Sequence, residues 1–265
     1  MTICAYCKQD KQATREHVIP SFLYSFQKSE GEGIIGWNEV IEKMIGGEAK
    51  VKDVCAACNN GVLSDLDAYG KQLLVNSRIL IQNFVKRSVS VRYEYSTLLR
   101  WLLKISYNSS RTDGAHAYLF DEHVPFILGS KTLPPRSRIA LVAYLAAPEL
   151  LDKSRITAEP FVKVAKGSNV LNPFLVRISY GLRRGEPYTL RVNIFGPIVF
   201  YLLMFDTDTK PGHAASATRK LLKMTPGAQE LSPTRLLVEL NAGPQTWLDL
   251  YEPQIHRTMA LRSDG

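Results

Sequence analysis

Every cysteine in the chain falls into one of two C-x2-C pairs, Cys4-Ala5-Tyr6-Cys7 and Cys55-Ala56-Ala57-Cys58. Two residues between thiolates let a single tight turn aim both sulfurs at one ion, and two such turns complete a tetrahedral zinc site. A thiol redox reading would need a thioredoxin-like βαβ context, which the flanking sequence does not offer. Four cysteines in 265 residues also exclude a disulfide-stapled miniature. The pairs therefore predict a zinc-closed loop. Its length is unusual: 47 residues separate Cys7 from Cys55, against about 15–20 in compact zinc ribbons. Something is inserted, and the insertion carries further chemistry.

Inside the loop lies Thr14-Arg15-Glu16-His17-Val18-Ile19-Pro20, and directly after Cys58 come Asn59-Asn60-Gly61 and an apolar-periodic helix. His17 is the side chain type best suited to proton transfer near neutral pH. Glu16 offers a hard oxygen ligand for Mg²⁺ or Mn²⁺, and the Asn59 amide oxygen offers another. A metal with open water positions beside a histidine base suits phosphodiester hydrolysis. Plainer uses exist for each residue: a surface ion pair of Glu16 with Arg15 or Lys8, or an N-cap from Asn59. Asp65 and Asp67 complement the dipole of the following helix. His116, His123, His213 and His256 fit no ligand spacing.

The order C-x2-C, Glu-His-Val-Ile-Pro, C-x2-C-Asn resembles the HNH (ββα-metal) endonucleases, in their zinc-supported subgroup, over roughly residues 1–70. The resemblance implies a β-hairpin followed by a helix gripping one divalent ion, and metal-dependent cleavage of DNA, double-stranded DNA foremost. It implies structural zinc on Cys4, Cys7, Cys55 and Cys58, His17 as general base at the end of the first strand, and Glu16 and Asn59 as ligands of a catalytic Mg²⁺ or Mn²⁺. The family's middle Asn, nine residues before the final ligand, is Lys50 here. Asn38 or Asn60 is then a candidate for steadying the loop that carries the base, and Lys50 for contacting a phosphate.

Beyond residue 70 the pattern reads as a larger α+β domain, residues 71–265, of open topology. Helical periodicity covers Val62 to Leu74 and Ser96–Asn108, and Ser88 to Tyr95 alternates like a strand. Strands are predicted at Ile139–Leu145, Leu175–Leu182, Tyr188–Phe195, Ile198–Phe205 and Leu236–Leu240, and helices near Ser216–Met224 and Gln245–Leu261. Arg183-Arg184-Gly185-Glu186-Pro187 is a turn joining two strands into a hairpin.

Charge is uneven along the chain. The first 60 residues carry seven Lys/Arg against eight Asp/Glu, and the remainder 26 against 17. A basic excess attracts polyanions through counterion release. Arg183 and Arg184, with Arg177 and Arg191 flanking and Tyr180 and Tyr188 interleaved, are candidate backbone contacts, as are Arg15 and Lys50. The longest apolar run, Ile194 to Phe205, is twelve residues and broken by Gly196 and Pro197, short of the roughly 18 needed to span a bilayer. The N-terminal MTICAYCKQDK lacks a basic-then-apolar signal pattern, so a cytoplasmic protein is expected. The rival to a nuclease is a zinc-dependent nucleic-acid-binding module with a silent catalytic centre, a reading that Lys50 keeps open.

Overall fold

The nine apolar residues of strand β8, Ile139–Ala147, show no polar alternation because both of their faces are covered: all nine are buried in the computed structural model. The structure describes residues 1–29, 35–38, 43–81, 84–113, 116–148, 176–181, 185–247 and 249–250. Ile139, Leu141, Ala143 and Leu145 join a large core with the long helix α4 (Tyr95–Asp113). Ala140 and Val142 point the other way, onto Ala214 and Ala217 of helix α5 (Pro211–Met224).

The main sheet runs in the order β7-β13-β8-β11-β10-β9, with the short β12 (Gln229–Glu230) also pairing β8. Strand β7 (Ser88–Arg92) shows the alternation read from sequence, β10 (Tyr188–Phe195) and β11 (Ile198–Phe205) have the expected bounds, and β9 (Val176–Tyr180) is shorter than the expected Leu175–Leu182. β10 and β11 pair antiparallel from Tyr188↔Phe205 to Phe195↔Ile198. Strand β13 (Leu237–Thr246) outruns its expected end at Leu240 because it serves two neighbours. Leu237 to Asn241 pairs antiparallel with β7, and Ala242 and Thr246 then pair parallel with β8. The helix expected near Gln245 is delayed until β13 ends, with Trp247, Asp249 and Leu250 helical, and its residues 251–261 lie outside the described residues. Among the described residues no helix is long and apolar enough to cross a membrane.

The N-terminal residues build smaller elements: the pair β1 (Thr2–Ile3) and β2 (Asp10–Lys11), the pair β3 (Ala13–His17) and β6 (Lys50–Cys55), and helix α1 (Ser21–Ser29). Between α1 and β6 lies a hairpin of β4 (Ile35–Asn38) and β5 (Lys43–Gly46). After β6 the chain turns helical at once through α2 (Ala56–Cys58), a wide turn Asn59–Leu63 and α3 (Ser64–Asn76), with Gly61 in a non-helical conformation at the kink. The kink falls within the stretch 1–70 to which the sequence assigns the zinc module. The hydrophobic core crosses it, running from Cys4 through Leu66 and Trp101 to Leu240.

Helix α4 joins the two halves. Trp101 through Asn108 are all buried, as expected for a helix enclosed on every side. Trp101 stacks on Phe195 of β10, centroids 5.0 Å apart, and on its other side fills the space that a Cβ on Gly70 would occupy. Gly70 thus sets how closely α3 and α4 approach. The polar residues within this stretch have partners on both sides. Ser106 donates to Asn193 Oδ1 on the sheet side, while Lys104 and Asn108 reach the N-terminal elements.

Candidate metal centre and the strand-end histidine

The first cysteine pair sits in the tight connection between β1 and β2. The Cys4 N–H donates to Gln9 O, the Lys8 N–H donates to Cys4 O, and Lys8 takes a positive φ of 59°. The Ala5 N–H donates to Asp53 O, which fastens this turn to β6. The second pair lies where β6 passes into α2, with Cys55 in extended backbone and Cys58 in the first helical turn. The four ligand atoms lie within 4.8 Å of one another, and Cys7 Sγ is 3.7 Å from Cys55 Sγ. A tetrahedron with Zn–S bonds of ~2.3 Å places sulfurs ~3.8 Å apart.

The donor set suits a cation electronically. At Cys4 burial opposes the thiolate, but the backbone N–H groups of Cys55, Cys7 and Tyr6 outweigh it and bring the thiol down to about 6. Burial pushes Cys58 up, and its hydrogen-bonded neighbours Cys55 and Cys7 add to the effect. One sulfur favouring the anion while a neighbour resists it is an arrangement that a divalent ion relieves, since a bound metal deprotonates its thiols. The cluster can hold a metal such as zinc.

His17 ends β3, directly opposite Lys50 at the start of β6. Between the Thr14↔Val54 and Glu16↔Val51 pairs the register shifts, a bulge of the kind that re-aims side chains beside a site. His17 Nε2 lies 2.9 Å from Glu48 Oε2, and the ring is about a quarter exposed. The same carboxylate takes Lys50 Nζ at 3.1 Å on Oε2 and Lys28 Nζ at 2.9 Å on Oε1. These donors, Lys28 first, then His17 and Lys50, hold Glu48 down at about 2. Glu48 is thus the side chain in hydrogen-bond contact with His17. Glu48 sits in a glycine-rich stretch with no periodicity, and no local signal marks it.

Glu16 does not face an open ion site. It is 5% exposed, and its Oε1 takes Lys104 Nζ at 2.6 Å and the Asn108 amide at 3.1 Å. Lys104, fully buried, also binds Asp67 Oδ2 at 2.7 Å, and the Trp101 indole donates to Asp67 Oδ1. Asp67 therefore does more than complement a helix dipole; burial pushes its carboxyl up, with Lys104 pulling against that. Asn108 closes the network, donating to His17 O and accepting from Tyr6 Oη at 2.6 Å. In this arrangement an ammonium stands where an ion on Glu16 would, so the residues present do not fit a Mg²⁺ or Mn²⁺ held by that carboxylate.

Asn59 is not an N-cap, because the helix has already begun at Ala56 and Asn59 has helical φ and ψ. Its amide donates to Thr14 Oγ1 at 2.9 Å and Arg15 O at 3.1 Å, tying the helix to β3 beside the bulge. Arg15 is exposed on the strand face shared with His17. Arg191, one of the arginines flanking the expected hairpin, is interior. It is 1% exposed, its guanidinium lies 3.7 Å over the Tyr180 ring, and it donates to Ser106 O. Arg183 and Arg184 lie outside the described residues.

His123 is buried near Glu122, its basicity lowered by that burial, and His116 packs edge-on against Tyr180. Neither approaches the cysteine cluster as a ligand: among the described residues the metal-competent group consists of the four cysteines alone. Comparison with known protein families, with curated proteins and with solved structures returns no match.

Proposed function

We propose that the N-terminal elements form a metal-stapled ββα module of the HNH kind that acts on the phosphodiester backbone of DNA, with His17 as the general base. The observation that carries this reading is a single constellation. Four converging sulfurs fix the ends of a β3–β6 pair, a helix follows immediately, and a partly exposed histidine closes the first strand, flanked by Lys28, Lys50 and Arg15. In this reading the metal staple fixes where β6 ends and α2 begins, and β3 carries the imidazole to the surface. There it accepts a proton from water beside a phosphate drawn in by the surrounding cations.

A second reading has its own observation. With Glu16 bound to Lys104, the module grips DNA without a catalytic ion and is a binding unit. The two readings part in one experiment, incubation of zinc-loaded protein with supercoiled plasmid and added Mg²⁺ or Mn²⁺, beside His17→Ala. Nicking that disappears in His17→Ala supports the nuclease. Plasmid retardation without nicking, equal in both proteins, supports the binding unit.

A further inference from the structure

Three donors from three separate elements converge on one carboxylate: His17 from the end of β3, Lys28 from the last turn of α1, and Lys50 from the start of β6. We propose that this trio is a binding cradle for a backbone phosphodiester, and that Glu48 plugs it in the free protein. The inference deepens the nucleic-acid reading above and takes its ligand class from it. A carboxylate and a phosphodiester present the same thing to such a cradle, one negative charge shared by two acceptor oxygens, and both are favoured by charge-assisted donors.

Glu48 fills the cradle through both oxygens, Oε1 on Lys28 and Oε2 on His17 and Lys50. Lys28 and Lys50 remain 58% and 36% exposed, so a ligand can reach them from solvent. The exposed Arg15 and Lys52 extend the basic face along β3 and β6, on the line a backbone would follow.

The plug is built to leave. The backbone around it is fixed, with the Ala49 N–H donating to Tyr24 Oη and Ala49 O accepting from the Val18 N–H. Gly47 precedes it with φ of 98° and open space where a Cβ would stand. The Glu48 side chain can therefore swing outward by χ rotation while the strand pair stays in place. In the plugged state Lys28, Lys50 and His17 are spent on an internal anion. In the open state Lys28 and Lys50 hold a phosphate beside the imidazole that the proposed reaction uses.

The test is binding, with no added Mg²⁺ or Mn²⁺, so that it does not depend on cleavage. The probe is thymidylyl-thymidine, which carries one phosphodiester, titrated into the full chain while the His17 ring resonances are followed by NMR. Glu48→Gln keeps the side-chain volume and removes the charge. It is expected to tighten binding about tenfold, the scale of one displaced charge-assisted competitor. Lys28→Ala with Lys50→Ala, made in that background, is expected to abolish the gain. Asp208→Asn removes the same charge from an exposed position of the larger half and controls for net charge.

A gain in Glu48→Gln no larger than in Asp208→Asn would overturn the plug. So would weaker binding in Glu48→Gln with zinc content and circular dichroism unchanged, which would make Glu48 a support for the cradle. Inorganic phosphate shifting the His17 resonances as strongly as the dinucleotide would overturn the assignment to a backbone phosphodiester. Plasmid nicking scored separately keeps the two proposals apart: nicking without the Glu48→Gln gain removes only the plug, and the gain without nicking removes only the nuclease.

Discussion

Replacing Lys104 by Met tests whether the buried ion network joins the two halves of the chain. Lys104 is fully buried and serves both Glu16 and Asp67. Without it, Glu16 at 5% exposure is left with the Asn108 amide as its hydrogen-bond donor. Breaking a buried pair by removing one partner costs about 3–5 kcal/mol, a large share of the roughly 5–15 kcal/mol that holds a domain folded. At roughly 2–4 °C per kcal/mol for a chain of this size, about 4 kcal/mol lowers Tm by roughly 8–16 °C.

Asp67→Asn provides the contrast. It leaves a neutral Glu16–Lys104 pair and removes a carboxyl that burial already pushes up, so its cost is about 1 kcal/mol, the net scale of one hydrogen bond. The pH dependence has a sign. A carboxyl whose folded pKa is raised stabilises most when protonated, and that contribution is lost as pH rises through the raised value. In Lys104→Met the Asp67 carboxyl loses the cation that pulls against its burial, so the deficit should shrink as pH falls from neutrality toward the ordinary carboxylate range. In Asp67→Asn the decline of stability with rising pH should be shallower than in the wild type. Thermal unfolding of zinc-loaded protein across that pH range measures both. An equal Tm drop in the two variants, or a Lys104→Met deficit that grows on acidification, would refute the reasoning.

Three further outcomes are expected. Cys55→Ser should lower zinc content, and because structural zinc contributes about 10–16 kcal/mol to a core that runs unbroken into α4 and the sheet, circular dichroism should show loss well beyond residue 76. Gly70→Ala drives a methyl into the Trp101 ring, so the scanning-calorimetry midpoint should fall by an amount equivalent to about 1–3 kcal/mol, the usual cost of overpacking. His17→Ala should leave zinc content nearly unchanged while removing nicking, as gel assays with matched protein concentrations will show.

What the sequence disclosed was what local pattern can carry. The cysteine pairs were legible because metal ligation dictates spacing, and β10 and β11 were legible to their end residues because their β-branched and aromatic runs and the Gly196-Pro197 break are local. β8 was legible as a strand but not as a central one, since two covered faces erase the alternation. What stayed hidden depends on distant partners. Lys104 looks like one polar residue on an amphipathic helix, and its ligands Glu16 and Asp67 lie 88 and 37 residues away. Glu48 has no pattern of its own, because its meaning arises only when α1, β3 and β6 bring Lys28, His17 and Lys50 together. The enclosure of α4 is equally invisible in local pattern, because Trp101 to Asn108 are buried by partners as distant as Glu16 and Asn193.

The central claim is that four thiolates hold one ion and thereby set the strand pair that presents His17. Zinc K-edge X-ray absorption on the purified full chain tests it most directly. The expected first shell is sulfur only, with Zn–S distances of ~2.3 Å, lost in Cys55→Ser and retained in His17→Ala and Glu16→Gln. A shell containing nitrogen or oxygen at ~2.0–2.1 Å, or zinc retained unchanged in Cys55→Ser, would contradict it.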